Sequence, residues 1–357
     1  MAEAETQPKR VKIIDVARES GFAPSTVSIV LNNAPVSRRV PAQTQERIRM
    51  VAKKLSYRPN IFARSLRGSR SQTIGIIIFD ISDPYCALAL DGIQRALLPT
   101  PYLPLMMDAR SDREQFENYM KILVERQVEG LIVVATWQLE QSKFFLDARR
   151  ELPIIIVGRD LSRYGISSAI VDNEAGGYMA LQHLYELGHR EIAIIRGPDK
   201  MSNGDNRWRG MQRFSKEYRF PLVMKRIRQL PDSWTAATAF SLGEELTREL
   251  IGKSLRFTAL AAFDDITALG AVRALSNAGL SVPGDCSVIG FDDVPQSATC
   301  TPGVTTIHQP LSEIGDIAVR SILDSLRHSE EGSADMAHLR AFPPSLVVRD
   351  STKPLAK

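Results

Sequence analysis

Residues 58–78 read RPNIFARSLRGSRSQTIGIII. A segment holding Arg58, Arg64, Arg67 and Arg70 runs straight into Ile74–Ile78, an apolar stretch suited to a strand buried on both faces. Two environments meet within a dozen residues, one cationic and wet, the other the interior of a sheet. The chain on either side of this junction has different chemistry.

On the amino-terminal side, residues 1–70 hold 14 Lys/Arg against 5 Asp/Glu, while residues 71–357 hold 31 against 36, so a net charge of +4 hides a basic head on a mildly acidic body. A compact cationic domain grips a polyanion by counterion release, which points to nucleic acid. Charge alone suits a solvated basic surface as well. With 357 residues and 44% apolar content, two or three packed domains are expected. No apolar run approaches the ~20 residues of a membrane span, and MAEAETQPKR lacks the apolar core of a secretory signal, so a cytoplasmic chain is expected, at the nucleoid when bound to DNA. Cys86, Cys286 and Cys300 lack metal-ligand spacing and are odd in number. They read as buried thiols, and neither a metal nor a cofactor is expected.

Residues 12–32, KIIDVARESGFAPSTVSIVLN, contain two short helical patterns. Ile13, Val16 and Ala17 give one apolar stripe and Val27, Val30 and Leu31 another, with Gly21 between them and Pro24 placed for a first helical turn. This is a helix-turn-helix pattern. Ile48, Val51, Ala52 and Leu55 supply a third amphipathic segment that closes a minimal core. In such a motif the second helix enters the major groove, so Pro24, Ser25, Ser28 and Ile29, with Thr26 and Asn32 beside them, are the candidates to meet DNA. Ile29 can pack on a thymine methyl, or can be a fourth core position. Arg38 and Arg39 can contact phosphates or be merely solvated.

The opening stretch then reads as a hinge. Asn60 after Pro59 is a good N-cap for IFARSLR, a helix too short to be stable alone. Leu66 among Arg64, Arg67 and Arg70 has the make-up of an apolar wedge for a minor groove, and small Ala63 allows close backbone approach. A disordered basic linker is the other reading.

Three ordered stretches, DVARESGFAPSTVSIVLN, YRPNIFARSLR and TIGIIIFDISDPY, resemble the LacI/GalR family of bacterial transcription regulators, over about Val11 to Arg349. The resemblance implies a small all-α helix-turn-helix head over 11–57, a hinge helix and linker over 58–71, and an effector-binding and dimerisation body over 72–350. That body is expected to be α/β and two-lobed, of periplasmic-binding-protein type I architecture, with lobe one about 72–165 and 298–328 and lobe two about 166–297 and 329–350. By position Leu66 resembles the family's wedge leucine. Ile29 stands where family members often carry a polar or basic reader, Lys12 where Thr or Ser usually caps the first helix, and NNAPVSRRVPAQ is longer than the common loop.

Beyond residue 71 the apolar runs TIGIIIF, GLIVVAT, PIIIVG, EIAIIRG, FTALAAF and CSVIGF alternate with helical patterns, which builds parallel sheets covered on both faces. Ligands of such sheets bind beyond the carboxyl ends of strands. The side chains there are Asp80, Trp137, Arg159, Asp264 and Asp292, with Arg207 opening a later helix. Carboxylates, arginines and rings converging on a cleft suit a polyhydroxylated ligand. The resemblance adds Arg207 in NRWRG, Asp292 in GFDD, Asp264 where Asn is frequent, Tyr85 and Cys86 in DPYC, and Trp234 as a stacking ring. Each has a plainer reading: the aspartates as helix caps, Arg207 in an inter-lobe ion pair, the tryptophans as core, Arg159 paired with Asp160.

No G-x-S-x-G elbow, phosphate loop or H-E-x-x-H pair is present, so no enzyme is expected. A transport-type binding protein would want a secretion signal and no head. After Arg349 the sequence DSTKPLAK is too short for a coiled coil, so a homodimer is expected. The function implied is repression of a catabolic operon through a pseudo-palindromic double-stranded operator, modulated by a sugar or sugar derivative, with no membrane partner.

Overall fold

A computed structural model describes residues 11–32, 35–57, 70–135, 143–199, 201–252, 256–330 and 338–355. It divides into one unit ending at Ser71 and a second from Gln72 onward.

The first unit contains α1 (Ile13–Ser20), α2 (Pro24–Leu31) and α3 (Ala42–Lys54). Lys12 lends α1 no side-chain cap, but the Asp15 carboxylate accepts the Lys12 N–H at 2.8 Å and closes the first turn from within. Gly21 stops α1 at φ 79°, a left-handed conformation that glycine adopts without a Cβ clash. Val16, Ala17, Val27, Val30, Ile48 and Ala52 form the buried centre. At roughly 1.5–3 kcal/mol for each large apolar side chain, so small a core is just enough for a three-helix head. The loop before α3 makes a single 3-10 turn, Pro35–Arg39, where Gln45 donates to the Ser37 and Val40 carbonyls at 2.9 Å each.

The second unit begins with β1 (Thr73–Ile78), β2 (Leu103–Asp108), β3 (Gly130–Val134), β4 (Ile154–Val157) and β5 (Ser167–Val171). It continues with β6 (Ile192–Arg196), β7 (Ile227–Gln229), β8 (Ala259–Ala261), β9 (Ser287–Asp292) and β10 (Thr305–His308), then β11 (Leu339–Phe342) and β12 (Ser345–Val347). The helices are α4 (Pro84–Leu97), α5 (Arg113–Glu125), α6 (Lys143–Ala148), α7 (Asn173–Glu186), α8 (Ser202–Glu217), α9 (Ala236–Gly252), α10 (Asp265–Asn277), α11 (Pro295–Thr299) and α12 (Leu311–Glu330).

Two six-stranded sheets result, ordered β11-β5-β4-β3-β1-β2 and β12-β10-β9-β8-β6-β7. Among the described residues every pairing is parallel except β10 with β12. Strand order reverses at β1/β3 in one sheet and at β6/β8 in the other, which are the places where open sheets leave a crevice. The isoleucine-, leucine- and valine-rich runs of β1, β3 and β4 are buried on both faces, as parallel strands covered by helices require.

The expected lobe boundaries are corrected in three places. Residues 167–171, assigned to lobe two, form β5 and pair with β4 in lobe one. Ser167 and Ser168 interrupt the apolar run, yet the Ser168 hydroxyl is buried and satisfied, accepting from Leu161 N at 2.9 Å and donating to Ile166 O at 3.1 Å. Residues 305–308, assigned to lobe one, form β10 in the second sheet, where the buried Thr306 hydroxyl donates to Asp265 at 2.5 Å. Residues 339–342, assigned to lobe two, form β11 beside β5. The chain therefore passes between lobes after Val171, after His308 and after Phe342.

Candidate functional site

Between the lobes, at both switch points, lies a cleft of about 530 Å³, counting the space open to solvent. Lobe one contributes Phe79 after β1, Ala135 after β3, and Asp83, Tyr85 and Cys86 at the start of α4. Lobe two contributes Met201, Asn203 and Arg207 after β6, Trp234 after β7, Phe263 and Asp264 after β8, and Asp292 ending β9.

Arg207 is the best-held of these. Its Nε donates to Asn173 Oδ1 at 2.9 Å, Nη1 to Phe263 O at 2.6 Å and Nη2 to Asp292 Oδ1 at 2.9 Å. The guanidinium stacks 3.6 Å from the Phe291 ring centre and 4.9 Å from that of Phe263. Its side chain is only 5% exposed, and among the described residues Asp292 is the one acid paired with it. Arg207 lines the cleft, and the ion pair that fixes it lies within lobe two, not between the lobes as its plainer reading expected. Gly177 on α7 lets α8 come this close, because a Cβ there would strike the Arg207 backbone carbonyl.

Asp292 is aimed by backbone strain. It sits at φ 108° and Asp293 at φ 58°, left-handed values that ordinary side chains adopt only when the surroundings impose them. The surroundings do so through Asp293, which accepts from Arg349 at 2.5 Å and bonds His308 at 2.9 Å, and through Gln309, which donates to Asp292. Burial pushes the Asp292 carboxyl up to about 7 against the pull of Arg207. Behind it, Asp265 is fully buried and accepts from Thr306 and from Val294 N at 2.9 Å, and burial followed by the Asp292 charge holds its carboxyl well above the usual range.

Asp264 caps α10, accepting from Thr267 N at 2.6 Å, and also lines the cleft. Asp83 does the same for α4, accepting from Tyr85 N at 2.9 Å. Burial, with the Asp292 and Asp264 charges behind it, pushes the Asp83 carboxyl up to about 8. Trp234 is 8% exposed and meets Phe263 edge-on, 5.6 Å between ring centres. Its indole N–H has no partner among the described residues. Burial raises the Tyr85 phenol and the Cys86 thiol, so both are neutral.

Tyr85, Cys86, Arg207, Trp234, Asp264 and Asp292 are thus brought together. Asp80 is not. Its oxygens serve its own turn and the neighbouring loop after β2, accepting from Ser82 N at 2.9 Å, Ser82 Oγ at 2.6 Å and Ser111 Oγ at 3.2 Å. Arg159 is also outside the lining, since it follows β4, one strand beyond the switch point. Trp137 lies outside the described residues. Reading only the polar residue after each strand passed over Phe79 and Phe263, and Asp83 was hidden inside a helix-start motif.

In the first unit, Pro24 and Ser25 on α2 and Asn32 just past its end are exposed, while Thr26, Ser28 and Ile29 are half-buried. Asn32 Nδ2 donates to Ser28 Oγ at 3.2 Å. Ile29 does not belong to the head's apolar cluster. Arg38 and Arg39 are exposed in the loop. Asn60, Ala63, Arg64, Leu66 and Arg67 lie outside the described residues.

Residues 12–60 match the bacterial regulatory proteins, lacI family, and residues 181–352 match the periplasmic binding protein-like domain. The chain is 34% identical over 344 residues to the HTH-type transcriptional repressor PurR of Aliivibrio fischeri (strain MJ11), covering 95% of this chain and 97% of that protein. It is 30% identical over 344 residues to the repressor of the same name from Haemophilus influenzae (strain PittEE), covering 96% and 98%. The chain belongs to the lacI family. Its structure resembles that of the Lac repressor dimer bound to operator and the anti-inducer ONPF, with a TM-score of 0.83 and 27% identity over 97% of this chain and 100% of that one. This lacI-family member is a DNA-binding transcriptional repressor carrying a ligand-binding domain. Among the described residues no helix is long and apolar enough to cross a membrane.

Proposed function

We propose that this repressor controls a catabolic operon, and that a sugar or sugar derivative in the inter-lobe cleft sets its affinity for the operator. The observation that carries the reading is the Arg207–Asp292 pair, a charged donor and acceptor held rigid at 2.9 Å among Phe79, Tyr85, Trp234 and Phe263. Paired polar groups beside rings suit hydroxyls and the apolar face of a sugar. Residues 11–57 form the reading head, with α2 in the major groove and Ser25, Ser28 and Ile29 near base edges. Residues 58–71 form the hinge, and two copies read a pseudo-palindrome as a homodimer. The edge strand β2 supports a second copy as partner: Leu103 is 63% exposed there, Met106 39%, and nearby Leu98 85%.

Footprinting of upstream DNA by the purified protein, repeated against a metabolite library, tests the whole reading. A footprint altered by one compound is expected; no footprint, or one indifferent to every small molecule, contradicts it. Leu66→Ala is expected to weaken operator binding by about 2–4 kcal/mol through lost unstacking and bending, with ligand binding intact. Equal operator affinity of variant and parent would remove the wedge.

A further inference from the structure

Of the three stretches that carry the chain from one lobe to the other, two place a buried amide side chain at the crossing. Asn173 comes two residues after Val171 ends β5, and Gln309 comes directly after His308 ends β10; both are buried. The third crossing, Phe342-Pro343-Pro344, carries no polar side chain, and its two prolines fix φ.

Asn173 spends the two ends of its amide on different lobes. Its Nδ2 donates to Val171 O at 3.2 Å, the last carbonyl of a lobe-one strand, while its Oδ1 accepts from Arg207 Nε of lobe two at 2.9 Å. Gln309 Nε2 donates to Asp292 of lobe two, and the Gln309 carbonyl accepts from Leu311 N at 2.7 Å, where α12 of lobe one begins. Each half of the cleft's ion pair is therefore one hydrogen bond from a different crossing. A guanidinium only donates and a carboxylate only accepts, so each amide has one way to face.

A buried amide must be satisfied, but for stability alone any nearby carbonyl or N–H would serve. Here two amides from distant parts of the sequence meet the same pair. Rotation of one lobe against another is absorbed in the φ and ψ of a few crossing residues. A turn at Asp172 must disturb the Asn173 bond to Val171 or its bond to Arg207, and a turn at Gln309 must disturb its bond to Asp292. The far end of this linkage is stiff, because the turn after Asp292 is pinned where Val294 N donates to Asp265 at 2.9 Å and Arg349 donates to Asp293 at 2.5 Å. Movement of the pair is then passed to the crossings instead of being absorbed inside lobe two.

We propose that Asn173 and Gln309 are positioning residues that tie the Arg207–Asp292 pair to two lobe crossings, so that the pair and the angle between the lobes move together. A molecule that grips the pair sets this angle without having to touch lobe one. The consequence for operator affinity rests on the cleft being the effector site; the mechanical tie does not.

The test measures the distance between the lobes in the full-length protein without any ligand, by electron–electron double resonance between spin labels at Asn118→Cys on α5 and Gln212→Cys on α8, both exposed positions. Cys300→Ser removes the half-buried native thiol, and excess unlabelled chain dilutes the labelled one. Gln309→Met and Asn173→Leu keep side-chain size and remove the bonds. Each is expected to widen the distance distribution, and the double variant to widen it about twofold or more. Asn173→Asp keeps the acceptor for Arg207 but turns an oxygen toward Val171 O, so it cuts the tie to lobe one while Arg207 stays held; it is expected to widen the distribution as Asn173→Leu does. If either of the apolar variants does not fold, Asn173→Asp decides. Distributions as narrow as the parent's, with or without a lower melting temperature, would overturn the tie and leave both amides as ordinary buried groups.

A second arm repeats the footprint titration with glucose, galactose and ribose. Where one of them changes the parent's operator affinity, the double variant is expected to bring that change to within about twofold of none while still binding the sugar in calorimetry. An undiminished change, or loss of sugar binding itself, would overturn the proposal, the latter by making the amides part of the ligand's own contacts. A footprint indifferent to all three sugars bears on the effector reading alone, and the spin-label distances still decide the tie.

Discussion

The two walls of the cleft are built differently. On lobe two, Arg207 is bonded at three nitrogens, and Asp292 is held in a strained backbone conformation by partners on both sides. On lobe one, the wall is Phe79, Tyr85, Cys86 and a half-buried Asp83 with a single hydrogen bond. Preorganised groups fix a ligand's orientation, and loosely held ones respond to its arrival. On the proposed function, lobe two would be the wall that orients the ligand, and lobe one the wall that responds to it.

Removing Arg207 should damage this arrangement most. Arg207→Ala leaves Asp292 buried without its cation and is expected to lower stability by about 3–5 kcal/mol, with loss of ligand binding, as read by denaturant melts and calorimetry. A smaller effect would mean lobe two is less rigid than its bonds imply. Gly177→Ala forces α7 and α8 apart and should cost about 1–3 kcal/mol while displacing Arg207, so ligand affinity falls even where folding survives. Unchanged affinity would show that the helix contact does not position the guanidinium.

Asp83 sharpens the comparison through pH. Burial first, then the like charges of Asp292, Asp264 and Asp80, raise its folded value to about 8, above the value of roughly 4 for an unfolded carboxyl. The folded state then holds a proton that the unfolded chain has lost, so stability falls as pH rises from about 4 toward 8. Asp83→Asn removes the effect, and should gain on the order of 1 kcal/mol relative to the parent at pH 8 and little at pH 4, after allowance for screening at this half-buried site. A gain equal at both pH values would mean that the carboxylate is not repelled across the cleft. Trp234→Phe should change stability by less than about 1 kcal/mol, because the lost N–H has no partner, yet weaken ligand binding about fivefold. Unaltered ligand affinity would assign Trp234 to the core alone.

Much of this was legible in the sequence where one physical signal dominates. The head's three apolar stripes and Gly21 predicted its helices, and the isoleucine-, leucine- and valine-rich runs of β1, β3 and β4 predicted buried parallel strands. β5 and β10 were not legible, because Ser167, Ser168, Thr305 and Thr306 mask burial that depends on partners far along the chain. Arg207 and Asp292 stood out by residue type, whereas Asp83 resembled an ordinary cap and is one. Its second position, in front of Asp264, is a product of the tertiary fold. Asp80 shows the converse, since a polar residue at a strand's end can be consumed by its own turn.

The central claim is that cleft and operator share one free energy. Operator affinity measured with and without the bound effector, and effector affinity measured with and without operator, must change by the same factor. The account predicts equal factors well above or below one. Operator affinity that stays constant while the cleft is saturated would contradict it.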